Sequence, residues 1–155
     1  MNTKYKDLIF VGIQFFLFIC FVFDFAFLLP IPTLFRTLRL LVAIIGLLIF
    51  IIAILQLNKN LSPFPTPKNN AHLIQNGLYK YVRHPIYSGI ILLAFGSSFY
   101  FASVYKMSIS FLLLILFHYK SKYEETLLQN KFSNYSKYKV KTGRFLPKIY
   151  SLIKL

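Results

Sequence analysis

From Leu8 to Leu29 the chain runs through twenty-two residues with only Gln14 and Asp24 as polar interruptions. At about 1.5 Å of rise per residue, such a helix crosses the roughly 30 Å hydrocarbon core of a bilayer. Lys4 and Lys6 precede this run and no small-residue cleavage site follows it, so a retained first span is expected rather than a signal peptide. The connector "PIPTLFRTLR" breaks the helix with two prolines, and Leu38 to Leu57 supplies a second apolar run of twenty residues. The pattern then changes. "NKNLSPFPTPKNNAHLIQNG" is rich in Pro, Asn and Lys and predicts an irregular loop at the membrane surface.

A third helix is expected from Pro85 to about Val104, with Pro85 in its first turn, where a missing N–H costs nothing. Ser88, Gly89, Ala94, Gly96, Ser97 and Ser98 would let a neighbouring helix of the same chain approach closely. After a break near Tyr105 and Lys106, Met107 to Tyr119 predicts a fourth, short helix, the pair forming a hairpin. Beyond it, Leu128, Phe132, Tyr135 and Tyr138 recur at helical steps, predicting an amphipathic tail helix lying along the bilayer surface. The expectation is an all-α integral membrane protein with about four transmembrane helices. Residues 1–57 would hold two N-terminal spans, and 58–155 a core of loop, hairpin and tail.

Composition agrees, with 57% hydrophobic residues, 14% charged and a mean hydropathy of +0.60. The net charge of +14 is concentrated in the tail, where nine of the eighteen basic residues follow Tyr119. A basic segment directly after a span is what the positive-inside rule and anionic headgroups explain, so no nucleic-acid partner is inferred. The N-terminus, the loop from Lys59 to Arg83 and the tail are all basic, which places both termini in the cytoplasm. Cys20, the one cysteine, excludes an intrachain disulfide and a thiol-rich metal site. His72 and His118 have no second ligand at metal spacing.

Four acids occur in the whole chain: Asp7, Asp24, Glu124 and Glu125. Asp24 is expected near the outer end of the first span, reaching water. Glu124 and Glu125 are adjacent and fall near the first turn of the expected tail helix, where they could offset its dipole or act chemically. At the entrance of the third helix stands "NGLYKYVRHPIYSG". Snorkelling at the headgroups accounts for Arg83, and first-turn geometry for Pro85. Neither accounts for Gly77, Tyr79, Tyr81, His84 and Tyr87, which are expected to line an interfacial pocket with hydroxyls, an imidazole and aromatic faces.

These segments resemble the isoprenylcysteine carboxyl methyltransferases and the related phospholipid methyltransferases. That family shows G-x-Y-x-x-x-R-H-P-x-Y-x-G, a helical hairpin, E-E-x-x-L, a phenylalanine with paired tyrosines, and a closing R-F-x-P. Here these are Gly77, Tyr79, Arg83, His84, Pro85, Tyr87 and Gly89, then Glu124, Glu125, Leu128, Phe132, Tyr135, Tyr138, Arg144, Phe145 and Pro147. The resemblance covers residues 72 to 150. Two positions depart from it: Lys120 stands where the family often has arginine, and Ser133 where it often has glycine. A lysine lacks the planar two-point grip of arginine on a carboxylate.

The resemblance implies an enzyme that binds S-adenosylmethionine and moves its methyl group to a membrane-embedded or lipid-like acceptor, such as the carboxylate of a prenylated cysteine. The alternatives are an amine of a phospholipid or small hydrophobic molecule, or a non-catalytic protein sharing the fold. By position it implies cofactor contacts at His72, Leu73, Ile74, Tyr79, Arg83, His84, Pro85, Ile86 and Tyr87, those of the loop at 71–74 made mostly through backbone. It implies catalytic roles for Glu124, Glu125 and Lys120, the glutamates taking a proton or orienting the acceptor. The soluble donor and the bilayer-borne acceptor would meet at the cytoplasmic interface under the Pro-rich loop.

Overall fold

A computed structural model describes residues 2–24 and 35–148. Those residues form helices and loops, with one isolated parallel bridge between Val82 and Gly143. Helix α1 spans Thr3–Val22, α2 Arg36–Leu57, α3 Pro85–Phe101, α4 Val104–Lys131 and α5 Tyr135–Lys141, with short 3-10 turns at Asn58–Asn60 and Gly77–Lys80. Helix α1 starts earlier than the apolar run because the Asn2 side chain accepts from the Lys4 amide at 3.3 Å, capping the first turn. The expected end of that span and the first half of the "PIPTLFRTLR" connector lie outside the described residues. Helices α1 and α2 are long and apolar enough to cross a membrane, and α3 is a shorter apolar helix.

The hairpin forms, but its break lies at Ala102 and Ser103 rather than at Tyr105 and Lys106. Ala102 takes a left-handed conformation (φ 53°) that ends α3, and the Ser103 hydroxyl accepts from the Lys106 amide at 3.2 Å, capping α4. With no Pro or Gly between Val104 and Lys131, α4 continues for 28 residues, about 42 Å. It runs through the apolar stretch ending at Tyr119 and projects beyond it. Glu124 and Glu125 therefore sit inside α4, not in the first turn of a tail helix.

The continuous amphipathic tail helix is also corrected. Phe132 is extended (φ −119°, ψ 112°), Ser133 and Asn134 make a turn, and α5 follows with seven residues. The chain then folds back onto the segment that precedes α3: Gly143 N donates to Tyr81 O at 3.0 Å, Arg83 N to Gly143 O at 2.9 Å and His84 N to Arg144 O at 3.1 Å. Backbone hydrogen bonding decides this. The Tyr81–His84 segment precedes a helix and has open donors and acceptors, which the tail satisfies.

Helix α1 packs on α4, α4 on α3 and α3 on α2. The α2–α3 crossing is closest at three glycines: a Cβ on Gly46 would lie 2.4 Å from Leu93 N, one on Gly89 2.5 Å from Phe50 N and one on Gly96 2.5 Å from Ala43 N. Leu17, Ala94, Ile109, Leu113, Leu116 and Phe117 form the common core. At one end, Asp24 accepts from Ser103 Oγ at 2.7 Å and Arg39 Nη1 donates to Phe99 O at 2.9 Å. Asp24 is exposed, as expected, yet it also anchors α1 to the hairpin turn. The start of α1, the ends of α2 and α4, and the start of α3 gather at the other end. Large side chains such as Phe16, Ile19, Leu41, Ile45, Leu48 and Leu55 remain exposed around α1 and α2, the outer surface of a protein solvated by lipid.

Candidate functional site

A cavity of about 670 Å³ opens at the end where α1, α2, α3 and α4 converge. Its mouth is roofed by the loop from Asn60 to Ile74, and its floor descends between Phe15, Phe18, Phe50, Ile54, Ile90 and Leu93. The loop is pinned from several sides. Asn60 Nδ2 donates to His72 O at 2.9 Å and the His72 amide donates back to Asn60 Oδ1 at 3.3 Å. Lys120 Nζ donates to Pro63 O at 2.8 Å and also to Gln14 Oε1, tying the roof to α1 and α4.

Of the expected site residues, His72, Leu73, Ile74, Tyr79, Arg83, His84, Ile86, Tyr87, Lys120 and Glu124 line this cavity. Pro85 does not; it is buried as the first residue of α3. Glu125 does not either, although it is adjacent to Glu124, because successive residues on a helix point about 100° apart. Tyr81 and Gly77 also lie outside the lining. Gly77 is left-handed (φ 57°) and lies against the Gln56 side chain, which accepts from the Leu78 amide at 2.9 Å.

Glu125 is the centre of a buried ion cluster. Arg83 Nε donates to its Oε1 at 2.9 Å, Lys139 Nζ is 3.1 Å from Oε2, and Arg144 Nε donates to Oε1 at 3.2 Å. His84 Nε2 lies 3.3 Å from Oε1. Burial alone would raise this carboxyl, but the His84 imidazole and Arg83 guanidinium beside it outweigh that and hold it well below the usual carboxylate range. Arg83 also donates to the carbonyls of Lys139 and Thr142. It is buried rather than snorkelling: with a carboxylate and two carbonyls at hand, the guanidinium is better satisfied inside than among headgroups.

Glu124 faces the cavity. Its Oε2 accepts from Tyr87 Oη at 2.9 Å and lies 3.6 Å from His84 Nδ1, while Oε1 makes no hydrogen bond among the described residues. The Tyr87 ring stacks on His84 at 5.4 Å and on Phe117 at 4.6 Å, which fixes the hydroxyl toward Glu124. Tyr79 Oη donates to Ala53 O at 3.3 Å, and Tyr138 Oη to Tyr79 O at 2.6 Å. Burial pushes the phenols of Tyr79, Tyr135 and Tyr138 above their ordinary values, so they remain protonated donors. Tyr135 Oη is buried with no hydrogen-bond partner among the described residues and belongs to the cavity wall.

The phospholipid methyltransferase family model matches residues 35–135, which include α2, the roof, the Arg83–His84–Pro85 segment and all of α4. The chain belongs to the phospholipid methyltransferase family. No curated protein matches it. As a phospholipid methyltransferase by family it is a membrane methyltransferase, and the cavity lies within the matched segment and its neighbours.

Sequence reasoning overlooked Gln14, Asn60 and the wall residues of α1. Gln14 had a readable signal, because an amide inside an apolar span is costly unless it has a partner. Leu128, Phe132, Tyr135 and Tyr138 are not one face of a continuous helix, because the helix breaks at Phe132, yet all four line the cavity.

Proposed function

We propose that this protein transfers a methyl group from S-adenosylmethionine to an amine of a lipid-like amphiphile at the cytoplasmic face of a membrane. The observation that carries the amine reading is the charge inventory. Each cation around the cavity mouth is engaged: Arg83 and Arg144 with Glu125, and Lys120 with Gln14 and Pro63 O. The carboxylate of Glu124 keeps an open oxygen. A carboxylate acceptor would be repelled by that charge and would find Lys120 already bonded to two neutral oxygens, whereas an amine would find a hydrogen-bond acceptor and a proton acceptor.

The lining suits the donor. A volume of about 670 Å³ falls within the roughly 300–1,000 Å³ of small-molecule sites. The roof at His72, Leu73 and Ile74 would hold the soluble donor's polar ends, and the Tyr135 phenol, which has no hydrogen-bond partner among the described residues, would donate to it. When bound, S-adenosylmethionine supplies an electrophilic methyl group. The protein's own residues position and deprotonate: Tyr87 orients Glu124, whose Oε1 takes the proton of the acceptor amine as it becomes a nucleophile. Glu125 holds Arg83 and His84 in place from behind. The apolar floor excludes water and receives the acceptor's chain.

The four-span reading, with both termini cytoplasmic, rests on the common end shared by the start of α1 and the end of α4 and on the lysines gathered there. The decisive experiment uses the full chain in phosphatidylcholine nanodiscs. Radiolabelled S-adenosylmethionine should bind, and label should pass to phosphatidylethanolamine. Glu124→Gln should keep binding and lose transfer by about two orders of magnitude or more. Absence of binding by the wild type would overturn the enzyme reading; label passing only to a prenylated cysteine carboxylate would overturn the amine reading.

A further inference from the structure

On the back of the tyrosine wall lies a second depression, of about 300 Å³, lined by Gln75, Lys80, Asn134, Lys137, Tyr138, Lys141 and Thr142. Asn134, Lys137 and Lys141 follow one another at steps of three and four, so they share a face of the α5 region. Lys80 and Gln75 stand across from them, in and beside the turn that Tyr138 Oη grips through Tyr79 O at 2.6 Å. The three ammonium groups make no ion pair among the described residues. No side-chain carboxylate among the described residues faces them: Asp7 and Asp24 belong to α1 and its end, Glu124 lines the large cavity and Glu125 is enclosed by its own cations. Lys139, on the opposite side of α5, is the lysine that serves Glu125.

We infer that this depression is a binding site for a phosphate-bearing anion. Three lysines bordering one depression without a counter-charge repel one another and favour an anion of more than one charge with several acceptor oxygens. Lysine binds phosphate as a point charge, without the planar geometry that a carboxylate–arginine pair demands, and Asn134 and Gln75 add amide donors at the rim. The size suits a headgroup phosphate or a free phosphate, and the depression is confined, unlike the diffuse attraction of a basic tail to a charged membrane. Tyr138 belongs to both the depression and the large cavity, so an anion held here braces the wall that carries Tyr79.

The test is hydrogen exchange on the full chain in three media: phosphatidylcholine nanodiscs, the same with phosphatidic acid, and the first with inorganic phosphate added. Exchange at residues 77–82 and 135–142 should slow severalfold with a phosphate present. The slowing should vanish in the triple variant Lys80→Gln, Lys137→Gln, Lys141→Gln and persist in Lys4→Gln, Lys59→Gln, Lys122→Gln, which removes the same charge from exposed positions elsewhere. Slowing with phosphatidic acid alone identifies a lipid headgroup as the source; slowing with inorganic phosphate identifies a soluble one. Equal loss in both triple variants, or no slowing in either medium, overturns the site. All six substituted lysines are exposed, and circular dichroism melting verifies that each variant is folded.

Discussion

At the scale of single residues, the two adjacent glutamates have separate tasks because a helix turns them to different surroundings. Glu125 is 1% exposed and neutralises Arg83, so Glu125→Gln leaves a buried guanidinium without its counter-charge. The expected loss is about 3 kcal/mol or more of stability, read by denaturant titration in detergent. Its pH dependence has a definite sign. The folded-state carboxyl is depressed, so its contribution is complete above the ordinary glutamate value of about 4.3 and declines as pH falls below that toward the folded value. The stability gap between wild type and Glu125→Gln should stay constant from pH 7 to about pH 5 and narrow only in more acid solution. Both glutamates were legible in the sequence as candidates. Their division of labour was not, since it depends on Arg83, Lys139 and Arg144 arriving from three other segments.

At the scale of elements, the α2–α3 crossing and the loop roof are the joints that shape the cavity. Gly46→Leu or Gly89→Leu would drive side-chain atoms into the backbone of the facing helix, which lies 2.4–2.5 Å from where a Cβ would stand. We expect about 1–3 kcal/mol of destabilisation for each, visible as a lower melting temperature. The roof is lighter work. Asn60→Ala removes two hydrogen bonds to His72, each worth about 1 kcal/mol, so KM for S-adenosylmethionine should rise about five- to thirtyfold with kcat little changed. The small residues of α3 announced a close crossing in advance. The loop's role as a roof followed from its position between two spans, but the Asn60–His72 pin joins residues on either side of a Pro-rich segment whose path no local propensity dictates.

For the whole molecule, the helices alternate in direction and bring the start of α1, the Arg83–His84–Pro85 entrance and the tail to one end. In a Cys20→Ala background, cysteines placed at Lys4 and Lys137 should react with a membrane-impermeant thiol reagent only after the cytoplasmic side is exposed. A cysteine at Phe35 or Phe101, both exposed at the opposite end, should react from outside. Labelling of all four from one side would contradict the four-span arrangement.

The apolar runs, the basic loops and the rarity of acids determined by themselves that this chain lives in a membrane and where its chemistry is concentrated, because burial in lipid depends on side-chain composition summed over consecutive residues. The grouping of Tyr79, His84 and Tyr87 with Glu124 was implied by the family resemblance. Tertiary structure decided the rest: that Arg83 is interior, that the tail turns back onto the Tyr81–His84 backbone, and that Gln14 and Lys120 share a bond across 106 positions of chain. Those outcomes turn on which buried charge or backbone group finds a partner, and partners distant in sequence are chosen only when the helices pack.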